Sequence, residues 1–349
     1  MLTNFRIYFV LLLAAMAQFA VFAGAGEKGE LHIYTWSDYF DQGVIEKFEE
    51  QYSCRIAIDY FDSNEAMYAK LKVGGGVYDI ITPSSYMSAI MWRQGLVMDL
   101  DTRFIPNIEN IDKNFLSLTE DPKMIYSVPY TRTVTGVGYN SVAVPKTALG
   151  SWGIFANRDF ASRMTMLNDM RETIGAGLKF LGYSLNSVNP AEIVAASETV
   201  IGWKRNLAKF DVDDAKIGLG SGEFLITHAY NGDVALIMEE NPDVGFFVPK
   251  EGTSIASDDF VILANSPSIR LAHSFINYML DSDVALANME GIRYFMPNPK
   301  AVERLDPDLR DNPAFKVDDQ VIAKCEVIRD LEQHNALYIQ AWDRIKAAE

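Results

Sequence analysis

Acidic and aromatic residues recur together at the predicted ends of strands and starts of helices. The segments are Trp36-Ser37-Asp38-Tyr39, Ser84-Ser85-Tyr86, Asn168-Asp169-Met170-Arg171-Glu172, Tyr230-Asn231-Gly232, Ser257-Asp258-Asp259 and Arg293-Tyr294-Phe295. In the third segment, Asp169 and Glu172 are three residues apart, which places both carboxylates on one side of a helix's first turn. Carboxylates hold ammonium groups and ring faces attract cations, so the pattern suits a cationic ligand.

Several of these segments also have a purely structural explanation. The first segment equally suits a strand end that is capped by Asp38 or Asp41, with both neighbouring rings in the core. Asp169 and Glu172 suit a first helical turn, where acids accept hydrogen bonds from free N–H groups and complement the helix dipole. Tyr230-Asn231-Gly232 is typical of a turn. The residues alone leave both explanations open.

Motifs of catalysis and metal binding are missing from the sequence. The four histidines do not stand in an HExxH or other metal-binding spacing. Gly218-Leu219-Gly220-Ser221-Gly222 resembles a nucleophile elbow, but Leu219 stands where that motif needs glycine. Gly74-Gly75-Gly76 follows a predicted helix and stops it, and Gly136-Val137-Gly138 lacks the third glycine of a dinucleotide fingerprint. We therefore expect no metal or cofactor, and these residues supply no nucleophile–base pair on which an enzymatic activity could be proposed.

The composition is that of an acidic globular chain. With 349 residues, of which 49% are hydrophobic, the chain exceeds one comfortable core, and two lobes are expected. The net charge of −16 disfavours nucleic acid and anionic membranes as partners and attracts cations at long range, although solubility alone also explains it. The two cysteines, Cys54 and Cys325, lack a CxxC spacing, and the sequence leaves their pairing open.

Residues 1–25 have the pattern of a secretory signal peptide. Arg6 supplies the positive end, residues 7–17 the apolar core and Ala23-Gly24-Ala25 a cleavage site. A single membrane anchor, which needs about 20 apolar residues, is the alternative. Ala25 stands where a bacterial lipoprotein signal has cysteine. We therefore expect a soluble periplasmic protein, membrane-anchored only if the natural protein carries a lipidated Cys at position 25.

Strands and helices alternate from Leu31 onward, which predicts βαβ units and largely parallel sheets flanked by helices. The first lobe is predicted over residues 26–134, with 258–301 returning to it, and the second over 135–257, with 302–349 returning to it. Strands are also predicted at 216–219 and 234–238, and a helical stretch at 320–348. The expected architecture is an α/β protein with a cleft between two lobes that can open and close.

Several blocks of the sequence resemble one known family. YTWSDYF, SNEAMYAKLK, YDIITPSSYM, SVPY, LKFLGYS, VPKEG and RYFMPN occur in the order and near-equal spacing of bacterial periplasmic polyamine-binding proteins, the spermidine/putrescine receptors of ABC importers. The likeness begins at about Leu31 and weakens after about Pro299. It implies the two-lobed periplasmic-binding-protein fold of type II, with the ligand in the cleft between the lobes.

In this family, aromatic rings sandwich the alkyl chain of the ligand and carboxylates hold its ammonium groups. By position, the resemblance implies one amine site at Asp169 and Glu172 and the other at Asp258. It implies further ligand contacts from Trp36, Tyr39, Ser37 or Thr35, Ser84, Tyr86 and Tyr294, and Ser221 is a weaker candidate. The implied partners are putrescine or spermidine and the permease subunits of an ABC transporter. The protein is expected to be a monomer.

Three positions depart from the family pattern. Tyr230 stands where the family often has tryptophan before Asn-Gly, so the aromatic ring at this position is smaller and has a hydroxyl group. Ala256 stands where a second tryptophan is expected, and one ring of the sandwich is missing. A glutamine contact near the C-terminus has no equivalent, because Ile328 and Arg329 fall there. The preferred polyamine is left open, with putrescine expected to bind at least as well as spermidine.

Other functions also fit parts of the sequence. A receptor for an amino acid or opine needs a basic residue for the ligand's carboxylate, and Arg132 is the candidate; an iron receptor needs a tyrosine pair with a histidine. A secreted hydrolase or lyase on a two-lobed scaffold is disfavoured because no nucleophile–base pair is found. A surface adhesin with a disused cleft is the remaining alternative, given the departures at Tyr230 and Ala256.

Overall fold

The structure is a computed structural model that describes residues 29–317 and 319–348. The predicted signal peptide and the question of a cysteine at position 25 lie outside these residues. In the part of the chain that the structure describes, no helix is long and apolar enough to cross a membrane. Cys54 and Cys325 are both free thiols.

Ten strands and thirteen α-helices form the described chain. The strands are β1 (Gly29–Thr35), β2 (Cys54–Tyr60), β3 (Ile80–Ile81), β4 (Val128–Asn140), β5 (Met164–Met166), β6 (Leu207–Phe210), β7 (Ile226–Tyr230), β8 (Val244–Phe247), β9 (Ser254–Ile262) and β10 (Glu326–Val327). The helices are α1 (Gln42–Tyr52), α2 (Asn64–Lys72), α3 (Ser85–Arg93), α4 (Met170–Phe180), α5 (Pro190–Lys204), α6 (Asp213–Ser221), α7 (Asn231–Glu240), α8 (Ile269–Met279), α9 (Ser282–Ile292), α10 (Pro299–Val302), α11 (Pro307–Arg310), α12 (Asp319–Ile322) and α13 (Asn335–Ala347).

The strands pair in the order β2-β1-β3-β9-β4-β7-β5-β6, with β10 beside β9 and β8 beside β4. At one end, β1 pairs in parallel with β2 and β3, and at the other end β5 pairs in parallel with β6 and β7. The long strands β4 and β9 are antiparallel to each other and join the two parallel parts. These two strands therefore carry the chain from one half of the molecule to the other.

Buried apolar side chains form two large clusters in the described chain. The first core consists mainly of side chains from residues 31–130 and 260–315, and the second of side chains from residues 137–226 and 331–345. Strand β4 contributes to both, since Tyr130 lies in the first core and Val137 in the second. Two cores on one sheet create a boundary at which side chains from both halves meet. The predicted lobe boundaries stay a prediction.

Local signals account for the helices that the sequence predicted well. Helix α1 begins after Asp41, whose Oδ1 accepts a hydrogen bond of 3.0 Å from the Val44 N–H, and it buries Val44, Ile45 and Phe48. Helix α2 begins after Ser63, whose hydroxyl oxygen accepts from the Ala66 N–H at 3.3 Å. Both helices span the residues predicted for them, which confirms the βαβ interpretation of the first half.

The strands predicted at residues 216–219 and 234–238 are wrong, because these residues lie in helices α6 and α7. Asp213 and Asp214 occupy the first turn of α6, and Gly222 ends it with a φ of 77°. Short apolar runs do not distinguish a strand from a buried helix, and packing decides between them. The predicted helical stretch 320–348 is also interrupted, since β10 separates α12 from α13.

Candidate ligand-binding cleft

A cavity of about 590 Å³, its mouth included, lies between the two cores. Its wall includes residues after β1, β2 and β3, the end of β7, the middle of β9 and the starts of α4, α6 and α7. Six aromatic residues line it: Trp36, Tyr39, Phe61, Tyr86, Tyr230 and Tyr294. Six carboxylates line it as well: Asp62, Asp169, Glu172, Asp213, Asp233 and Asp258. None of the described residues that line the cavity is basic.

Ten of the site residues expected from the resemblance line this cavity. They are Trp36, Ser37, Tyr39, Ser84, Tyr86, Asp169, Glu172, Tyr230, Asp258 and Tyr294. Thr35 and Ser221 do not line it. Thr35 is fully buried within β1 and its hydroxyl is hydrogen-bonded to that of Thr82 at 2.5 Å. Ser221 ends α6 and donates to the carbonyl of Gly218 at 3.3 Å, beside a neighbouring cavity.

Asp258 is the central acid on the first-core side of the cavity. Its Oδ1 accepts a hydrogen bond of 2.6 Å from the Ser84 hydroxyl, and its Oδ2 accepts one of 2.5 Å from the Tyr39 hydroxyl. Burial raises the pKa of Asp258 to about 6, although these two hydrogen bonds oppose the shift. A buried carboxylate with only hydroxyl partners is stabilised further by a cation.

Successive residues of β9 point to opposite faces, and this alternation separates Asp258 from Asp259. Asp259 is fully buried outside the cavity lining, where its carboxylate accepts hydrogen bonds from Ser127 at 3.1 Å and Ser257 at 2.6 Å. Two adjacent acids of one strand therefore have different environments. Asp258 faces the cavity, and Asp259 accepts its hydrogen bonds on the opposite face of β9.

The second group of acids lies at the start of α4. Asp169 Oδ1 accepts a hydrogen bond of 3.0 Å from the Glu172 N–H and so caps the helix. Glu172 Oε2 accepts from the Ser254 hydroxyl at 2.6 Å and from Thr135 at 3.0 Å. Burial and the charge of Asp169 raise the pKa of Glu172 to about 8. The capping explanation and the cavity-lining explanation hold for Asp169 at the same time.

This acid group is incompletely neutralised by the protein. Burial and the charge of Asp169 raise the pKa of Glu65, behind the cavity wall, to about 7. Glu65 Oε2 has no hydrogen-bond partner among the described residues. Arg171 is the neighbouring cation, but its guanidinium donates to the Arg329 carbonyl and to Asn186, each at 3.0 Å. Burial and mutual repulsion disfavour the ionised forms of these carboxyl groups, and an ammonium group in the cavity would stabilise the ionised forms.

The aromatic side chains that line the cavity together with the two acid groups contact one another. Trp36 packs on Phe61 with ring centroids 4.5 Å apart and meets the edge of Tyr230 at 6.0 Å. Its indole N–H donates to the Thr82 carbonyl at 3.0 Å, which fixes the ring orientation. Tyr39 and Tyr294 contact each other edge to face at 5.2 Å. Such a group of rings suits an alkyl chain with positively charged ends.

Sequence reasoning missed several lining residues, chiefly Asp213 and Asp233. Both stand just before the strands predicted at 216–219 and 234–238, and in the structure they lie in the first turns of helices α6 and α7. Asp233 stands three residues after Tyr230, and this acid near an aromatic residue was the signal from which its place in the site could have been predicted. Ala256 lines the cavity where a ring was expected, and Arg329 pairs with Glu120 at 3.1 Å outside the lining.

Gly232 is required for the position of Tyr294. A Cβ at residue 232 would lie 2.5 Å from the Tyr294 ring. We expect Gly232→Ala to displace this ring and lower the free energy of unfolding by about 1–3 kcal/mol, the typical effect of overpacking. Thermal unfolding measures the change. Gly202→Ala is the matched control, since that exposed helix position has no atom within 4 Å. Equal melting temperatures of the two variants would contradict the assignment.

Comparison with known proteins places these features in a family. Residues 43–317 match the family described as bacterial extracellular solute-binding protein. A spermidine/putrescine-binding periplasmic protein from Salmonella typhimurium is 31% identical, over 93% of this chain and 94% of that protein. A putrescine/cadaverine-binding protein from Pseudomonas aeruginosa is 29% identical, over 97% of this chain and 98% of that protein.

A solved structure from Listeria monocytogenes, provisionally described as a spermidine/putrescine ABC transporter, has a TM-score of 0.87 at 31% identity. The superposition covers 92% of this chain and 100% of that chain, which confirms the predicted α/β fold of periplasmic binding proteins. The similar proteins are binding proteins of transport systems, so the chain is not an enzyme. It acts outside the cytoplasm and belongs to the family of bacterial extracellular solute-binding proteins.

Proposed function

We propose that the protein binds a polyamine, putrescine or spermidine, in this cavity and delivers it to an ABC permease. The observation that carries the proposal is the combination of six carboxylates and six aromatic residues around one cavity, with no basic side chain among the described lining residues. The names of the similar proteins from Salmonella typhimurium and Pseudomonas aeruginosa support the same ligand class.

Each end of the ligand has its own acid group in this proposal. Asp258 holds one ammonium group, and Asp169 with Glu172 holds the other. Trp36 and Tyr230 flank the alkyl chain between them. A charge-assisted hydrogen bond contributes about 1.5–3 kcal/mol, and each ring contact of an ammonium about 0.5–2 kcal/mol.

Ligand binding closes the two lobes in this proposal. Contacts cross the cleft: Ser37 donates to Asp213 at 2.6 Å, and Asn168 donates to Asp62 at 3.3 Å. A ligand that touches acids of both lobes adds further contacts to the closed form and shifts the population toward it. The permease then recognises the closed form. In this proposal, residues 1–25 are an export signal, and the mature protein is a monomer in the periplasm.

A receptor for an amino acid or opine finds less support at the cavity. A ligand carboxylate needs a basic partner, and Arg132, the candidate from the sequence, does not line the cavity. Its guanidinium lies 4.2 Å from the centre of the Phe295 ring. An iron receptor lacks support too, since no group of three or more His, Cys, Asp or Glu in the described chain is placed to hold a metal ion.

Thermal unfolding with a panel of ligands tests the proposed function. Putrescine and spermidine are expected to raise the melting temperature, because a ligand at a hundred times its Kd stabilises the folded state by about 2.7 kcal/mol. Arginine and 4-aminobutyrate, which carry a carboxylate, serve as controls and are expected to have little effect. No shift with either polyamine would contradict the proposal.

Polyamine binding is expected to release protons and to strengthen as the pH rises from about 6 to 8. The pKa of Glu172 is raised to about 8 and that of Asp258 to about 6, so part of the site is protonated at neutral pH. An ammonium group beside a carboxylate lowers its pKa and expels the proton. Calorimetry at pH 7 in two buffers with different ionisation enthalpies measures the release.

The variant Glu172→Gln separates this effect from other titrations. It keeps the size of the side chain but has no proton to lose, so the number of protons released on binding should fall. Asp258→Asn is expected to change the release less at pH 7, because burial raises the pKa of Asp258 only to about 6. Identical binding heats in both buffers for the wild-type protein would contradict the prediction.

A further inference from the structure

Lys216 is a buried cation next to the cavity. Its side chain, on α6, is only 14% exposed. The Nζ atom lies 2.9 Å from Asp38 Oδ2, 3.2 Å from Asp213 Oδ1 and 3.9 Å from Asp233 Oδ2, and it donates to the Ser37 hydroxyl oxygen at 3.1 Å. Three carboxylates and a hydroxyl therefore surround one ammonium group.

The surroundings keep this ammonium group charged. Burial lowers the pKa of Lys216, but the charges of Asp233, Asp38 and Asp213 and the hydrogen bond to Asp38 more than offset burial, and the net pKa is raised. Asp233 also accepts a hydrogen bond of 2.9 Å from the Tyr294 hydroxyl. The acids at this end of the cleft are thus already paired by the protein.

The acids that face the ligand differ from this group. The carboxylate of Asp258 accepts hydrogen bonds from the hydroxyls of Ser84 and Tyr39, and that of Glu172 accepts from the hydroxyls of Ser254 and Thr135. The cavity therefore has anionic capacity for two further ammonium groups, one at each of these positions. Of the remaining lining acids, Asp62 already accepts a hydrogen bond of 3.3 Å from Asn168, and Asp213 and Asp233 belong to the group around Lys216. A third ammonium that follows Asp213 and Asp233 therefore meets a cation that is already in place.

A second cavity marks the path that a longer ligand would take. It shares Ser37, Asp213 and Asp233 with the main cavity and is also lined by Lys216 and Asp38. An aminopropyl arm that leaves the main cavity between these shared residues would bring its ammonium to the Nζ of Lys216. Two like charges in a partly buried site repel each other.

We propose that Lys216 restricts the ligand to a diamine, because its ammonium group occupies the position that the third ammonium of a triamine would take. This inference rests on the proposed polyamine-binding function and specifies its substrate class. The wild-type protein should bind putrescine at least about tenfold more tightly than spermidine, a difference of about 1.4 kcal/mol.

Calorimetric titrations of Lys216→Met with putrescine and spermidine test the inference. Removal of the ammonium leaves Asp38, Asp213 and Asp233 without their cation, and the third ammonium of spermidine can replace it. The ratio of the two dissociation constants is expected to shift toward spermidine by about tenfold or more. Lys216→Arg keeps the charge and should keep the preference for putrescine. If Lys216→Met does not fold, the ratio of the two dissociation constants is measured on Lys216→Gln, which also lacks the charge.

Lys209→Met is the matched control, since Lys209 forms an ion pair of 2.5 Å with Asp214 outside the cavity and should leave the ratio unchanged. Equal weakening of both ligands by Lys216→Met would show that Lys216 only joins the lobes and would overturn the inference. Tighter binding of spermidine than putrescine by the wild-type protein would also overturn it. Failure of the proposed function is distinguishable, because the wild-type protein would then bind neither polyamine.

Discussion

Asp258→Asn is expected to weaken putrescine binding by about ten- to a hundredfold. The change removes the negative charge that faces the ligand, and a charge-assisted hydrogen bond contributes about 1.5–3 kcal/mol. The change also alters the hydrogen bonds of Ser84 and Tyr39, whose hydroxyls both donate to the carboxylate of Asp258. Since an amide nitrogen is a donor, one of these hydrogen bonds must be lost or reversed. Titration calorimetry at pH 7.5, where Asp258 is mostly ionised, measures the loss.

Asp259→Asn is the matched control for this substitution. Asp259 is the next residue of β9 and is fully buried, but its carboxylate bonds to Ser127 and Ser257 away from the cavity. The control should lower the melting temperature with less than about a threefold change in affinity, because it removes a buried hydrogen-bond acceptor and no ligand contact. Equal losses of affinity in the two variants would remove Asp258 from the site.

Trp36→Ala is expected to weaken putrescine binding by about thirtyfold or more. The indole packs on Phe61 and meets Tyr230, and Ala256 supplies no ring to the opposite wall. Trp36 therefore carries a larger share of the aromatic contact than it would with a second tryptophan at position 256. Loss of about 2 kcal/mol of ring contact corresponds to this factor. The same change should also lower the free energy of unfolding by about 3 kcal/mol, since Trp36 is only 9% exposed.

Two further variants separate binding from stability. Trp36→Phe keeps a ring in the cavity wall but loses the indole N–H that donates to Thr82, and an intermediate affinity is expected. Trp92→Ala removes a tryptophan that stacks on Tyr126 and does not line the cavity, so affinity should be unchanged. All titrations are performed below the melting temperature of the least stable variant. Wild-type affinity in Trp36→Ala would show that the ligand does not contact this ring.

Elements with strong local signals were predictable from the sequence. Helices α1 and α2 have capping residues, Asp41 and Ser63, directly before a helical apolar pattern, and each begins where the cap predicts. The strands β1 and β2 are likewise marked by alternating apolar residues. In these segments the local preference and the tertiary packing agree.

Other elements depend on packing that the sequence does not display. Helices α6 and α7 contain short apolar runs whose burial in the folded chain, and not their periodicity, makes them helices; Leu219, Val234 and Ala235 pack together in one small cluster. Strand β7 was missed because its end, Tyr230, stands directly before Asn-Gly, which is typical of a turn. In the structure, Asn231 begins α7 instead.

The site was predictable in outline and not in its charge balance. The segments around Trp36, Asp169 and Asp258 are local patterns that recur along the chain, and the structure brings them to one cavity. The pairing of Lys216 with Asp38 and Asp233 joins residues far apart in the sequence. These ion pairs form because α6 packs against the residues after β1, and the spacing of the residues in the sequence does not predict them.

Titration calorimetry of the wild-type protein with putrescine and, in parallel, with butylamine tests the central claim most directly. Butylamine has the same four-carbon chain with one ammonium group, so the comparison isolates the second acid site. We expect putrescine to saturate one site per chain at micromolar concentration or below, and butylamine to bind about ten- to a hundredfold more weakly. Equal affinity for the two amines, or no saturable binding of putrescine in two different buffers, would contradict a cleft built for a doubly charged polyamine.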